Sequence, residues 1–133
     1  MSDEVLVDTS VWIDYFNVKR SPAFQEVSRL LRERRVFYTG IVALELIRGA
    51  RTDKELLILD TLFRSIECIE AQTGTHQEAG RLGYRLARKG FSIGTVDLLL
   101  SQLAIERDLW LYSQDQHFQM VAKHTPLKLY RTP

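Results

Sequence analysis

The chain has 133 residues, 45% of them hydrophobic and 26% charged, which is the composition of a globular domain that can bury its own core. A net charge of +1 gives no indication of a nucleic-acid partner, and the single cysteine excludes both an intrachain disulfide and a cysteine-based zinc site. No apolar run approaches the ~18 residues of a membrane span, and the acidic N-terminus is unlike a secretory signal, so we expect one cytoplasmic domain over residues 1–133 with no membrane contact.

Apolar residues alternate along the chain between short strand-like runs and longer helical runs. Capping residues mark helix starts, such as Ser21 before Pro22, and glycines such as Gly49 and Gly90 mark helix ends. The pattern predicts five strands, at 5–7, 36–38, 66–69, 109–112 and 127–129. It predicts helices between them, at 9–16, from 21 to 31, at 42–49, from 53 to 63, at 75–89 and at 96–106, and a short helix at 118–122. Short strands followed by longer helices imply β-α crossovers, so we predict an α/β fold with a short central parallel sheet of four to five strands and helices on both faces.

Three local features follow from residue preferences. Thr9 and Ser10 are expected to cap the helix after the first strand, and Asp53 to cap the helix that begins there. The thiol of Cys68 stands in an apolar run and is expected to be buried.

Four acidic residues stand either at strand ends or among apolar neighbours. Asp8 ends the first strand and Asp115 follows the fourth by two residues, so both fall at the carboxyl edge where parallel sheets bind their ligands. Glu45 and Asp97 are flanked by apolar residues, and a carboxylate that faces inward there needs a partner such as a cation. Taken singly, each acid is better explained as a helix cap or a solvent-exposed charge than as a metal ligand.

A cluster of carboxylates without cysteine or histidine partners suits Mg²⁺ or Mn²⁺ better than zinc. Such a cation polarises a phosphoryl oxygen and lowers the pKa of a bound water, which is the chemistry of phosphodiester hydrolysis. When the four acids are set apart, 13 acidic residues remain against 18 basic ones, and this balance suits a polyanionic substrate.

Four short sequence blocks are spread along the chain in a fixed order. They are VLVDTSVWIDYF at 5–16, ALELIRG at 43–49, GTVDLLLSQLA at 94–104 and LYSQDQHF at 111–118. Together they resemble the PIN-domain ribonucleases, and more narrowly the VapC toxins of bacterial and archaeal toxin–antitoxin pairs. The resemblance implies a single PIN-like domain that uses Mg²⁺ or Mn²⁺ to cut structured RNA, such as transfer or ribosomal RNA, and so arrests translation.

The resemblance also implies roles for the four acids. Asp8, Glu45, Asp97 and Asp115 would be catalytic. Asp8, Asp97 and Asp115 would be metal ligands, while Glu45 would orient a water or a second cation. Some relatives carry a further acid two residues after the fourth, where this chain has His117 instead.

Other residues are expected to support this site or to contact the substrate. The hydroxyls expected to hold the metal-site loop are those of Thr9, Ser10 and Ser113. The side chains expected to contact RNA, from their place beside the acids, are those of Arg48, Arg51 and His117.

Partners are implied by the resemblance alone. VapC toxins usually form homodimers and are held inactive by a cognate VapB-type antitoxin, whose C-terminal segment occupies the active-site groove. The complex then represses its own operon through DNA binding by the antitoxin, in a higher hetero-oligomer.

Two other functions remain open from the residues. One is a PIN fold that has lost catalysis and serves as a binding module, although all four acids are present. The other is a magnesium-dependent phosphotransferase or phosphatase with Asp8 as nucleophile, although Ser10 stands where one such pattern requires an acid.

Overall fold

The computed structural model describes residues 3–132, and this part of the chain contains five strands and seven helices. The strands are β1 (Val5–Val7), β2 (Val36–Thr39), β3 (Glu67–Ile69), β4 (Trp110–Tyr112) and β5 (Lys128–Leu129). The helices are α1 (Thr9–Asn17), α2 (Pro22–Arg32), α3 (Gly40–Arg48), α4 (Asp53–Ser65), α5 (Thr75–Arg88), α6 (Thr95–Glu106) and α7 (His117–His124). The predicted order of elements is confirmed, and element ends differ by a few residues.

The five strands form one parallel sheet in the order β3-β2-β1-β4-β5. Strand β1 lies at the centre, where Val5 is in register with Val36 on one side and with Trp110 on the other. The chain first builds the sheet outward from β1 to β3, and then returns to add β4 on the opposite side of β1. The direction of winding therefore reverses between β1 and β4, which is where parallel sheets open a crevice for ligands.

The helices form two packed groups. Helix α1 packs against α2 and α3, and α3 packs against α4, whereas α5 packs against α6, and α6 against α7. Because β-α-β crossovers are right-handed, the reversal of winding places these two groups on opposite faces of the sheet. The predicted fold class is thereby confirmed, while the exact domain bounds of 1–133 stay a prediction. No helix within residues 3–132 is long and apolar enough to cross a membrane.

The centre of the sheet is wholly apolar. All three residues of β1 are fully buried, as expected for a parallel strand with helices on both faces. Trp12 on α1 is also fully buried, and its ring packs against Tyr15, Phe16 and Phe63. This core holds the carboxyl ends of β1 and β4 at fixed positions.

The predicted cap of helix α1 is wrong by one or two residues. Asp8, and not Thr9 or Ser10, is the N-cap residue, with extended backbone angles of φ −76° and ψ 158°. Its side chain makes no capping hydrogen bond. The hydroxyl of Thr9 instead donates to the carboxylate of Glu45, and that of Ser10 donates to Asp8 and accepts from the backbone N–H of Gln114, as described below.

Two further local predictions are wrong. Thr52 caps α4 in place of Asp53, because its hydroxyl accepts a 3.1 Å hydrogen bond from the backbone N–H of Glu55. Cys68 is exposed, because β3 is the edge strand and buries only Ile69.

Replacing a fully buried leucine of β4 should destabilise the fold. Leu111→Ala leaves a cavity at the centre of the sheet and is expected to lower the free energy of unfolding by about 3 kcal/mol. Leu57→Ala is the matched control, since Leu57 on α4 is 62% exposed and its loss should change stability little. Urea denaturation followed by circular dichroism measures both, and equal midpoints for the two variants would contradict the buried position of Leu111.

Candidate active site

Four elements bring the predicted acids together at the carboxyl edge of the sheet. Asp8 follows β1, Asp115 follows β4, Glu45 lies on α3 and Asp97 lies in the first turn of α6. The negative charges of the other three acids all act on Asp97. The structure therefore places the other three acids close enough for their charges to act on Asp97, although the four are spread over more than a hundred residues of sequence.

The pKa of the Asp97 carboxyl group reflects its surroundings. Burial, followed by the charges of Asp115 and Asp8 and more weakly that of Glu45, raises the pKa of Asp97 to about 6, while His117 opposes the rise. Carboxylates held together without a cation take up protons in this way. An oxygen-rich site whose negative charge is uncompensated fits a hard divalent cation, so the residues present suit Mg²⁺ or Mn²⁺.

Asp8 is the most enclosed of the four acids, with 7% of its surface exposed. Its Oδ2 accepts hydrogen bonds from the hydroxyls of Ser10, at 2.9 Å, and Ser113, at 2.8 Å. Its backbone N–H donates to the carbonyl of Tyr112 over 2.9 Å, which ties the end of β1 to the end of β4. Two hydroxyls and one backbone bond thus hold this carboxylate in one orientation.

The same two hydroxyls also position the loop that carries Asp115. Ser113 Oγ accepts the backbone N–H of Asp115 over 3.0 Å, and Ser10 Oγ accepts that of Gln114 over 3.1 Å. Each serine therefore donates its single proton to Asp8 and accepts from the loop, which is a consistent use of one hydroxyl. The predicted supporting residues Ser10 and Ser113 do lie between the two acids.

Glu45 is held by the third predicted supporting residue. Thr9 Oγ1 donates a 3.0 Å hydrogen bond to Glu45 Oε1, across 36 residues of sequence. This bond joins the start of α1 to the middle of α3 and leaves Glu45 half-buried.

His117 stands beside two of the acids at the first residue of α7. Its Nδ1 lies 3.2 Å from Asp115 Oδ1 and 3.9 Å from Asp97 Oδ2. Its backbone N–H also donates to Asp115 Oδ1, over 2.9 Å. One ligand atom from each of Asp97, Asp115 and His117 can be chosen so that all three lie within 4.8 Å of one another.

A groove of about 360 Å³ adjoins the acids on the α3–α4 side. Thr9, Glu45 and Arg51 line it, together with an apolar set. The apolar lining residues are Ile13, Phe16, Leu46, Ala50, Ile58 and Leu59. Of the two predicted substrate-binding arginines, Arg51 thus lines the groove, whereas Arg48 is exposed on α3 outside this lining.

One contact at the site was not predicted. Gln114 Nε2 donates a 2.8 Å hydrogen bond to Asp14 Oδ2, which ties the loop after β4 to α1. No local signal in the sequence marks this pair, because its partners are 100 residues apart and both residue types are common on surfaces.

Comparison with known proteins gives the same family as the sequence blocks. The PIN domain family model matches residues 5–124. Ribonuclease VapC11 of Mycobacterium tuberculosis is 30% identical over 128 residues, which cover 93% of this chain and 96% of that protein. The chain therefore belongs to the PIN-domain family. Within that family it is related to the VapC ribonucleases, as the resemblance predicted.

Solved structures confirm the fold. VapBC2 from Rickettsia felis, bound to a DNA fragment from its promoter, superposes with a TM-score of 0.78 at 21% identity, covering 95% of this chain and 96% of that one. DNA-bound VapBC from Salmonella typhimurium superposes with a TM-score of 0.79 at 20% identity, covering 96% and 97%. At 20% and 21% sequence identity, these matches show a shared backbone fold and nothing more.

The raised pKa of Asp97 leads to a pH-dependent prediction for the cation-free protein. An aspartate in the unfolded chain has a pKa of ~3.9, below the value of about 6 in the folded chain. Between these values the folded chain binds more protons than the unfolded chain, so its stability falls as the pH rises through this window. Asp97→Asn removes the charge and should raise the melting temperature in EDTA at pH 7.5, with a gain that disappears toward pH 4.

Calorimetry at both pH values measures this gain. Glu67→Gln is the control, since Glu67 is an exposed acid on the edge strand β3 and its replacement should give no comparable pH-dependent gain. A melting temperature of Asp97→Asn equal to that of the unmutated protein at pH 7.5 would show that neither burial nor the neighbouring acids destabilise the charged form of Asp97.

Proposed function

We propose that this chain is a divalent-cation-dependent endoribonuclease that acts as the toxin of a toxin–antitoxin pair. The observation that carries the proposal is the convergence of Asp8, Glu45, Asp97 and Asp115, where burial and the neighbouring carboxylates together raise the pKa of Asp97 to about 6. Such a concentration of negative charge costs stability in an empty site and suits a site that a cation occupies.

The ligands assigned to the cation are Asp8, Asp97 and Asp115, and the cation is Mg²⁺ or Mn²⁺. When bound, it supplies a Lewis acid for a phosphoryl oxygen and a water of lowered pKa. The hydroxyls of Ser10 and Ser113 hold Asp8 in a fixed orientation and so limit the reorganisation that binding requires.

Glu45 is assigned the handling of the attacking water. It stands half-buried at the rim of the groove, and the hydroxyl of Thr9 occupies its Oε1. A carboxylate held in this way can accept a proton from a water beside a phosphate. Arg51 lines the same groove and provides a positive charge for a neighbouring phosphate of the RNA.

The apolar part of the groove is assigned to an antitoxin. A segment with apolar side chains would cover Ile13, Phe16 and Ile58, and it would block access to Glu45 and Arg51 at the same time. As in the VapBC assemblies named above, we propose a VapB-type antitoxin, a homodimer of this chain and a larger complex on operator DNA. An RNA target such as transfer or ribosomal RNA implies that the protein acts in the cytoplasm.

Cleavage of RNA by the antitoxin-free protein tests the proposed activity. With total RNA and either Mg²⁺ or Mn²⁺, Asp8→Asn should cut about a thousandfold more slowly, or slower still, because the loss of a ligand removes several kcal/mol of stabilisation from the transition state. EDTA should abolish cleavage by the unmutated chain. Sequencing of the RNA ends measures both effects.

Asp60→Asn on α4 is the matched control for this assay, since Asp60 does not line the site and its replacement should leave the rate unchanged. If the pure unmutated protein shows no cation-dependent cleavage, the nuclease proposal is wrong, and a binding module without catalysis becomes the better explanation.

The apolar lining of the groove leads to a separate prediction about the affinity of the antitoxin. Ile58→Asp places a charge in the apolar lining and should weaken binding of the antitoxin encoded beside this chain by about tenfold or more. Leu57→Asp is the control, because Leu57 is 62% exposed and does not line the groove. Calorimetric titration measures the affinities, and similar affinities for the two variants would place the antitoxin on another surface.

A further inference from the structure

His117 brings a nitrogen donor to a cluster that otherwise consists of oxygen donors. Its side chain is 64% exposed, so solvent reaches it, yet its Nδ1 faces the carboxylates of Asp115 and Asp97. The backbone N–H of His117 is bonded to Asp115 Oδ1, which holds the first residue of α7 against this acid. The imidazole is therefore kept near the acids by its position at the helix start.

The spacing of the three donors matches ligands of one cation. Two ligands at about 2.1 Å from an octahedral cation stand about 3.0 Å apart when adjacent and about 4.2 Å apart when opposite. The distances from His117 Nδ1, 3.2 Å to Asp115 Oδ1 and 3.9 Å to Asp97 Oδ2, both lie between these two separations. One donor atom from each of the three residues also lies within 4.8 Å of the other two.

We propose that His117 Nδ1 is a direct ligand of the catalytic cation, and that the site consequently prefers first-row transition cations, from Mn²⁺ to Zn²⁺, over Mg²⁺. This inference rests on the proposed function, because it concerns the cation of the same site. Mg²⁺ favours oxygen ligands and retains water, whereas imidazole suits the transition cations. One nitrogen in place of an oxygen thus shifts the selectivity without a change in the fold.

The position of the proton on the imidazole ring distinguishes a metal ligand from a hydrogen-bond partner of Asp115. When Nδ1 carries a proton it can donate to Asp115 Oδ1, which makes His117 only a hydrogen-bond partner of that acid. When Nδ1 binds a cation, the neutral ring must carry its single proton on Nε2. The ligand role therefore places an imidazole nitrogen next to the cation, whereas the hydrogen-bond role does not.

Electron spin-echo spectroscopy of the Mn²⁺-loaded protein detects such a nitrogen directly. The unmutated protein should show modulation from a coordinated imidazole nitrogen, with the pattern changed by ¹⁵N-histidine labelling. His117→Ala should lose this modulation. His76→Ala is the matched control, since His76 is an exposed histidine on α5, and it should retain the modulation.

Affinity measurements at pH 8 provide a second readout that needs no RNA. His117→Ala should lower the affinity for Mn²⁺ about tenfold or more, which is the scale of losses at metal sites, while affinity for Mg²⁺ changes less. His117→Asp should move the selectivity toward Mg²⁺, because it replaces the nitrogen with an oxygen donor.

The outcomes separate this inference from the proposed function. If Mn²⁺ binds and Asp8→Asn weakens it, but no nitrogen modulation is seen, His117 is not a ligand and the acidic site stands. If neither Mg²⁺ nor Mn²⁺ binds the unmutated protein, both proposals are wrong. Nitrogen modulation that survives in His117→Ala would likewise overturn the assignment of this residue.

Discussion

Strands β1 and β4 lie side by side at the centre of the sheet, and the rest of the site depends on this pairing. Because the winding of the chain reverses between them, no crossover covers their carboxyl ends. The backbone bond from Asp8 to Tyr112 and the hydroxyl bond from Ser113 to Asp8 connect the two ends directly. An apolar core in which β1 is fully buried lies beneath this edge.

The charges at this edge oppose one another, and the fold tolerates that opposition through local hydrogen bonds. Asp8 is stabilised by two serine hydroxyls and Glu45 by Thr9. Asp97 lies in the first turn of α6, where the helix dipole favours an acid, yet its pKa still rises to about 6 because it is partly buried beside the other carboxylates. Stability is thus given up at the site where a cation is expected to bind, as is common at functional sites.

The sequence predicts the roles of some residues of the candidate site and assigns others wrongly. Placement after strands favours Asp8 and Asp115, and apolar neighbours favour Glu45 and Asp97, but only the four ordered blocks identify these acids as one site. Thr9 and Ser10 were assigned as caps from their local preferences, and this assignment was wrong. Thr9 binds a glutamate 36 residues away, and Ser10, besides its bond to Asp8, accepts from a loop more than a hundred residues away, and local preferences do not register these distant partners. Likewise, Cys68 was expected to be buried, but only the sheet order reveals that β3 is an edge strand.

The sequence by itself determined the succession of strands and helices, the fold class and, with the four ordered blocks, the family. These features depend on apolar periodicity and on short motifs, which are local properties of a chain. Only the tertiary structure decided that four acids meet, which hydroxyls hold them, and that Gln114 and Asp14 are bonded. Only the structure also showed that Nδ1 of His117 faces Asp115 and Asp97. These contacts join residues from separate strands and helices, so they follow from strand order and helix packing, which the pattern of a single segment does not encode.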